Sequence, residues 1–316
     1  MNNILFIAPD DVGIIKIVQN RLSQRTDFTA DFIDFNAFKN KFVYKNFYHR
    51  VANFISKNFK KVNLKDIHYN NLVKEKINTL QPRYSRIVII RPDLLNDEVL
   101  GLLRSKTESF IANYWDSISL FDRKLRIKNI FDKVYSFDTE DCKRYGFDLL
   151  TNFYYFDEIP ATVNNNVYCL LTNDKRTAVV ERMGKYLNER GIANTLKVFC
   201  YKPAVTAYVL QIHQVIPYEI MLKEIAASSV LVEIQKEEQQ GLTFRPFEAL
   251  GLSKKLITNN KHIKEYDFYD ANNICIIDNE DINIPNGFFT TPYRPVSETI
   301  KIKYHLDNWI ETLFIQ

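Results

Sequence analysis

Short apolar segments alternate with helix-like segments along most of this chain of 316 residues. Such alternation is typical of α/β folds, in which helices cover parallel sheets. An apolar strand is predicted at residues 3–8, followed by a turn at 9–13 and a helix over 14–23, an order that suits a Rossmann-like unit. The turn contains one glycine, so the Gly-x-Gly-x-x-Gly fingerprint of dinucleotide-binding proteins is absent.

A domain boundary is predicted where the pattern is interrupted. Residues 161–166 are polar and contain three adjacent asparagines, and a new apolar strand follows them. We therefore predict two Rossmann-like domains of ordinary size, residues 1–160 and 161–316. Further strands are predicted at 29–34, 86–91, 110–115, 133–137, 167–171, 195–201, 230–234, 255–258 and 274–277, with helices from about 177 to 189 and over 297–314.

Composition favours a globular protein of the cytoplasm. The chain is 46% hydrophobic and 25% charged, and it has no apolar run of about 18 residues that would span a membrane. Residues 1–10 read as a buried strand rather than a signal peptide. The four cysteines lack pair spacing, which favours reduced thiols.

A basic, aromatic stretch allows two interpretations. Residues 39–50 mix cations with aromatic side chains, and Lys57, Lys60, Lys61 and Lys65 follow. The stretch is either a solvated helix face with packing aromatics or a surface that docks on anionic lipid or a lipid-linked acceptor at the inner face of the cell membrane. A nucleic-acid site is disfavoured, because the pI is only about 8.6 and no recognition module accompanies the stretch.

The segment over residues 240–251 is the most informative about function. Arg245 and Glu248 lie three residues apart at a predicted helix start, where N–H groups and the positive dipole end suit a diphosphate. A guanidinium binds phosphate oxygens in a fork, and a glutamate one turn further accepts hydrogen bonds from ribose. Gly241 and Thr243 would bring backbone and hydroxyl donors to the same diphosphate. A helix N-cap at Thr243 and a dipole-stabilised first-turn acid at Glu248 are the structural alternatives.

Together with residues 254–260, this pattern resembles the donor site of GT-B glycosyltransferases, in particular the CgeB-like and capsule or lipopolysaccharide enzymes of bacteria. Segments at 4–7, 114–117, 131–138 and 266–269 agree in the same order. The resemblance implies two Rossmann-like domains that face a central cleft, with the final helix returning to the first domain. Glu248 would bind the donor ribose and Arg245 its diphosphate.

The resemblance also implies an activity. The C-terminal domain would hold a nucleotide-sugar and the N-terminal domain a glycan or lipid-linked glycan acceptor. A hexosyl or related group would pass to a hydroxyl of a bacterial surface glycan, without a metal or cofactor. Many retaining GT-B enzymes carry two glutamates eight positions apart, whereas this chain has Gln240 eight positions before Glu248. The neutral amide disfavours a retaining mechanism of that kind and leaves a non-catalytic nucleotide-sugar or glycan-binding protein as the alternative. A nucleotide-sugar epimerase and a signalling module are weaker alternatives.

Other candidate residues follow predicted strands, where ligands gather in open α/β sheets. Thr172, Lys175 and Arg176 follow the first strand of the second half, and the two cations could reach a phosphate; a polar turn is the alternative. Asp116 and Asp11 follow strands of the first half, and either could deprotonate an acceptor hydroxyl unless it serves as a cap. The five histidines show no ligand spacing, so we predict no bound metal.

Overall fold

The computed structural model describes residues 2–10, 13–39, 41–59, 63–120, 122–156, 159 and 162–316. Two compact units divide the chain. The first comprises Met1–Ser136, Tyr145–Asp148 and Leu313–Gln316, and the second comprises Phe137–Arg144 and Leu149–Thr312. The boundary predicted between residues 160 and 161 falls on residues outside the described ranges.

The first unit is built on a parallel sheet. Its strands are β1 (Asn2–Ala8), β2 (Phe28–Asp34), β3 (Tyr84–Ile90), β4 (Thr107–Tyr114), β5 (Lys133–Ser136) and β6 (Asp148–Leu149), and its helices are α1 (Ile14–Ser23), α2 (Phe47–Phe59), α3 (Leu64–Asn78), α4 (Asp97–Ser105) and α5 (Arg123–Ile127). The order is β2-β1-β3-β4-β5-β6, and the pairs from β2 to β5 are parallel. The carboxyl ends of β1 and β3 therefore flank the point where the strand order reverses.

The second unit repeats this architecture. Its elements are α6 (Thr139–Tyr145), β7 (Asn164–Thr172), α7 (Thr177–Glu189), β8 (Asn194–Phe199), β9 (Leu210–Ile212), α8 (Tyr218–Ala227), β10 (Ser228–Glu233), α9 (Phe244–Gly251), β11 (Lys255–Thr258), β12 (Ile274–Ile276), α10 (Glu298–Lys303) and α11 (Leu306–Ile310). All pairs are parallel in the order β12-β11-β10-β7-β8-β9. The order reverses between β7 and β10, so the loops after these two strands meet at the edge where ligands bind in such sheets.

The predicted alternation of strands and helices is confirmed. The helix predicted over 14–23 is α1, and the strand predicted over 255–258 is β11. Burial explains the accuracy, because the central strands are covered on both faces and read as continuous apolar runs. Such a buried core in the second unit includes Val167, Val180, Met183, Val198, Val232 and Ile257.

The prediction of one continuous closing helix over 297–314 is wrong. The segment consists of α10, α11 and a π-helical turn at Glu311–Ile315. The interruption has a clear cause: the Tyr154 N–H donates to the Tyr304 carbonyl at 3.0 Å, and the Leu306 N–H donates to the Tyr154 carbonyl at 2.7 Å. These backbone groups pair with a neighbouring segment instead of continuing one helix.

The end of the chain joins the first unit, as the resemblance implied. The guanidinium of Arg86 in β3 donates to the carbonyl of Leu313 at 3.1 Å. Phe314 packs edge-on against Phe6 of β1, with ring centroids 5.4 Å apart. No described helix is long and apolar enough to cross a membrane.

Candidate functional site

The loop after β7 is tied to the loop after β10 at the reversal point of the second sheet. Arg176 donates from Nη1 to the Ile234 carbonyl at 3.1 Å and holds Asp174 through Nε and Nη2 at 2.9 and 2.8 Å. Partial burial of Asp174 acts in the opposite direction, but this fork holds its pKa below the ordinary value. Thr172 and Lys175 lie exposed beside it. The three predicted residues therefore share this edge, with Arg176 already engaged by protein groups.

A buried cluster of Arg245, Glu248 and Tyr218, here called the Arg245 cluster, lies at the start of α9. Arg245 Nη1 donates to Glu248 Oε2 at 2.8 Å, and the Tyr218 hydroxyl donates to Glu248 Oε1. The side chains of Glu248 and Arg245 are only 2% and 11% exposed. Both oxygens of the Glu248 carboxylate are thus engaged within the protein, and ribose binding by Glu248 stays a prediction.

Other side chains hold the Arg245 cluster in place. The Arg245 guanidinium lies 5.9 Å from the centre of the Tyr168 ring and contacts the Met221 sulfur at 3.6 Å. Burial and the neighbouring Glu248 carboxylate raise the pKa of Tyr218 well above its ordinary value, so the phenol remains a donor at neutral pH. Arg245 is consequently a fixed charge at the helix start.

The buried carboxylate of Glu233, which the sequence did not single out, holds the residue that precedes α9. Glu233 ends β10 and accepts hydrogen bonds from Thr243 Oγ1 at 3.2 Å and Thr258 Oγ1 at 2.9 Å. Burial raises the pKa of Glu233, while the two hydroxyls and the charges of Arg176 and Arg245 act against that rise. Thr243 occupies the N-cap position of α9, but its side chain makes no capping bond because the hydroxyl serves Glu233 instead.

Gly241 is required by close backbone packing. A Cβ at this position would lie 2.2 Å from the carbonyl oxygen of Phe137. The next residue of that segment, Asp138, accepts a hydrogen bond from the Gln240 N–H at 3.2 Å. The steric reason for the glycine therefore lies within the protein, and its approach to a diphosphate stays a prediction.

Side-chain amides hold the loop between β10 and α9. Gln235 donates to the Gly241 carbonyl and accepts from Asn260 Nδ2 at 2.6 Å, and Asn260 also donates to the Gln240 carbonyl at 3.0 Å. Asn259 pairs with the backbone of Gln235 on both sides, at 2.8 and 3.1 Å. The sequence signal was the run of polar residues that directly follows β11, at the same sheet edge as the β10 loop.

An open polar depression of about 280 Å³ lies over these amides. Gln240, whose residue type departs from the glutamate of many retaining enzymes, contributes to its lining. The other lining residues are Gln235, Lys236, Glu237, Gln239, Asn259, Asn260, Lys261, His262 and Asn279.

In the first unit, Asp116 follows β4 and is held by two cations. Its Oδ2 lies 3.0 Å from Arg91 Nη1 and 3.9 Å from the Nζ of Lys124, whose side chain is fully buried. Lys124 also donates to the Asp116 carbonyl at 2.8 Å. The carboxylate is therefore charge-balanced within its own unit, and its role as a catalytic base stays a prediction.

The second catalytic candidate, Asp11, lies outside the described residues. The preceding Asp10 accepts hydrogen bonds from the N–H groups of Gly13 at 2.7 Å and Lys16 at 3.1 Å, so it caps the start of α1. Gly13 has φ +94°, a left-handed conformation that favours glycine. Among the described residues, no three histidine, cysteine or acidic side chains cluster as metal ligands would.

No family model matches the chain, and no curated protein matches it in sequence. Solved structures do match. The N-terminal domain of Candida albicans trehalose-6-phosphate phosphatase aligns with a TM-score of 0.58 at 10% identity, over 99% of this chain and 95% of that one. A trehalose-6-phosphate synthase studied for glycosyltransfer with retention gives 0.55 at 9% identity, over 98% and 97%. An alpha-glucosyltransferase in complex with UDP and DNA gives 0.53 at 10% identity, over 88% and 87%.

At such low identities this likeness establishes the fold and nothing finer. The parallel sheets of the two units and their reversal points agree with the Rossmann-like halves of GT-B proteins. Membership of the CgeB-like or capsule and lipopolysaccharide family stays a prediction. The chain therefore has the GT-B fold.

Proposed function

We propose that this protein is a glycosyltransferase that moves a sugar from a nucleotide-sugar donor to a hydroxyl of a glycan. The observation that carries the proposal is the Arg245 cluster at the start of α9, beside the reversal point of the second sheet. The position suits a diphosphate, because a helix start presents backbone donors and a positive dipole end. The GT-B fold supports the assignment, since the trehalose-6-phosphate synthase and the alpha-glucosyltransferase that share it are glycosyltransferases by name.

In the proposed reaction an acceptor hydroxyl attacks the anomeric carbon of the donor. The new glycosidic C–O bond forms as the bond between that carbon and the diphosphate oxygen breaks. The hydroxyl proton passes to a carboxylate, for which Asp116 and Asp11 are the candidates. The charge that develops on the diphosphate is stabilised by the α9 start and Arg245, together with the exposed Lys175 across the reversal point. No metal or cofactor takes part in this scheme.

Arg245 suits this task because it is charged and immobile. A hydrogen-bond donor that is already oriented does not have to reorganise as charge develops on the leaving group. Glu248 accepts from the Nη1 atom of the guanidinium and is itself held by the Tyr218 hydroxyl, while the Nη2 atom faces the weak Met221 sulfur acceptor at 3.6 Å. The structure therefore supports a positioning role for Glu248 in addition to the ribose contact that the resemblance implies.

We propose a bacterial surface glycan, of capsule or lipopolysaccharide type, as the acceptor. This part rests on the sequence resemblance alone. The expected cytoplasmic location rests on composition and on the unpaired spacing of the four cysteines, and the expected absence of a nucleic-acid partner rests on the pI of about 8.6 and the lack of a recognition module. The stereochemical outcome depends on the site and not on the fold. Gln240 lines the polar depression where the retaining pattern would have a carboxylate, which favours a mechanism without a second glutamate there.

The test is a screen of UDP-, GDP-, CMP- and dTDP-sugars by thermal shift and calorimetry, followed by an assay for nucleotide release with glycan acceptors. One donor family should stabilise the protein, because a ligand that binds only the native state raises its unfolding temperature. Lys175→Ala should weaken the binding of that donor by about tenfold, because one charged contact to phosphate is lost. Lys202→Ala is the matched control, since Lys202 is also an exposed lysine of the second unit.

The outcomes separate the two functions considered. Donor binding with nucleotide release supports the transferase. Donor binding without release, under any acceptor offered, favours the non-catalytic binding protein that Gln240 suggests. A folded protein that binds none of the donors would contradict the transferase and the nucleotide-sugar-binding protein, and would favour a glycan-binding protein.

A further inference from the structure

Helix α2 of the first unit is amphipathic, but its apolar face points to the solvent and its polar face points to the protein, the reverse of an ordinary surface helix. Six of its exposed positions carry apolar or aromatic side chains: Phe47, Tyr48, Val51, Phe54, Ile55 and Phe59. These positions recur every three or four residues and share one face. Phe54 and Phe59 are 68% and 82% exposed, so they do not pack as core aromatics do. The part of the first interpretation that has the aromatic side chains packing in the protein is therefore wrong for α2.

The inward face of α2 is polar and fixes the orientation of the helix. Asn53 is buried, its Oδ1 accepts from the Leu64 N–H at 2.8 Å, and its Nδ2 donates to the Tyr44 hydroxyl at 2.8 Å. The His49 ring packs against the rings of Phe42 and Tyr44, with centroid distances of 5.7 and 5.8 Å. Rolling the helix to bury its apolar face would break these buried hydrogen bonds, so the apolar face is held outward.

The chain around α2 is strongly basic, and the nearest acidic residues in sequence are Asp34 and Asp66. Eight lysine and arginine residues and no acidic residue lie between positions 35 and 65, whereas the net charge of the whole chain is only +4. Lys41, Lys45, Arg50, Lys57 and Lys65 are exposed. An apolar aromatic face flanked by cations is complementary to the boundary between anionic headgroups and acyl chains. At 13 residues α2 is too short to span a bilayer, so it can only lie along one.

We propose that α2 docks the protein on an anionic phospholipid bilayer, with Phe47, Val51, Phe54 and Phe59 inserted among the headgroups and Arg50 and Lys57 bound to their phosphates. Nucleic acid is the less favoured partner, because five of the six exposed side chains, all except Tyr48, offer phosphates no hydrogen bonds. Docking does not depend on the proposed glycosyl transfer. It would hold the first unit at a surface where a lipid-linked acceptor is concentrated.

The experiment is sedimentation of the full chain with vesicles of phosphatidylcholine alone and of phosphatidylcholine with phosphatidylglycerol. Binding should require the anionic lipid and weaken at high salt, because exposed charges are screened. Phe54→Ser combined with Phe59→Ser should lower the partition coefficient by about tenfold or more, and so should Arg50→Gln combined with Lys57→Gln. Tyr201→Ser combined with Val205→Ser is the matched control, since both are exposed apolar residues of the second unit. Circular dichroism and the unfolding temperature would show that each variant is folded.

Several results would overturn the proposal. These are a lack of vesicle binding by the folded wild type, equal binding to neutral and anionic vesicles, and binding that the Phe54 and Phe59 substitutions leave unchanged. Preferential binding of duplex DNA, or dimerisation that the same substitutions abolish in a protein that ignores vesicles, would assign the face to a different partner. Donor binding by the second unit is measured separately, so failure of docking is distinguishable from failure of the transferase proposal.

Discussion

Glu248 should prove essential for the stability of the second unit, and not only for donor binding. Glu248→Ala would leave the Arg245 guanidinium, 11% exposed, without its carboxylate, and would also remove the acceptor of the Tyr218 hydroxyl. Breaking a buried ion pair on one side costs about 3–5 kcal/mol, and an unsatisfied buried donor about 1–3 kcal/mol. A typical domain has only about 5–15 kcal/mol in total, so this substitution removes a large part of it.

The cause can be isolated by removing both charges. Glu248→Gln keeps the shape and one acceptor oxygen but also leaves the buried Arg245 charge without a counter-charge, so it should cost about 3–5 kcal/mol. Arg245→Met combined with Glu248→Leu replaces the pair by apolar groups and should be within about 2 kcal/mol of wild type, because no charge is left buried and unpaired. The assay is urea unfolding followed by Trp309, which packs 4.9 Å from Phe153 in the second unit. The chain has two tryptophans, so Trp115→Phe makes this probe unique. A cost below about 1 kcal/mol for Glu248→Ala, or a double variant no more stable than Glu248→Ala, would refute the reasoning.

Two further predictions concern the scaffold of the site. Gly241→Ala should destabilise the protein by about 3 kcal/mol, because the new Cβ would lie 2.2 Å from the Phe137 carbonyl oxygen. Gly101→Ala in α4 is the control and should be neutral or stabilising, since a Cβ there meets nothing within 4 Å. Thermal unfolding of both variants checks this, and equal effects would contradict it. Burial raises the pKa of Glu233 above the unfolded value of 4.5, so its ionised form opposes folding at neutral pH and this penalty fades as pH falls through the folded pKa. Wild type should therefore gain stability relative to Glu233→Gln as pH falls from about 8 to about 5 in urea titrations, and a constant difference would contradict the assignment.

Much of the fold follows from the local pattern of this sequence. Strands such as β3 and β11 are buried on both faces, so their apolar runs identify them without knowledge of the neighbours. The end of α7 is equally local, because Gly191 follows the helix with φ +64°, a left-handed conformation in which glycine terminates helices. The resemblance of residues 240–251 likewise placed a helix start after a glycine-bearing loop, and α9 begins at Phe244.

The partners of the site residues depend on contacts between distant segments. Tyr218 is 30 residues from Glu248, and Asp138 is 102 residues from the Gln240 N–H that it binds. No spacing rule predicts such pairs, because they arise from the order of strands in the sheet. For the same reason the sequence could not show that the Thr243 hydroxyl would serve Glu233 instead of the helix start.

The sequence by itself determined that this chain is a parallel α/β protein and that residues 240–251 form its most informative loop and helix start. It could do so because buried strands and turns are determined by residues that are close in sequence. The tertiary structure decided which groups are engaged and which face the solvent. It buried Glu248 against Arg245 and Tyr218, and it turned the aromatic side of α2 outward because Asn53 anchors the opposite side. Both outcomes depend on hydrogen-bond partners supplied by other elements, which only the folded chain brings within reach.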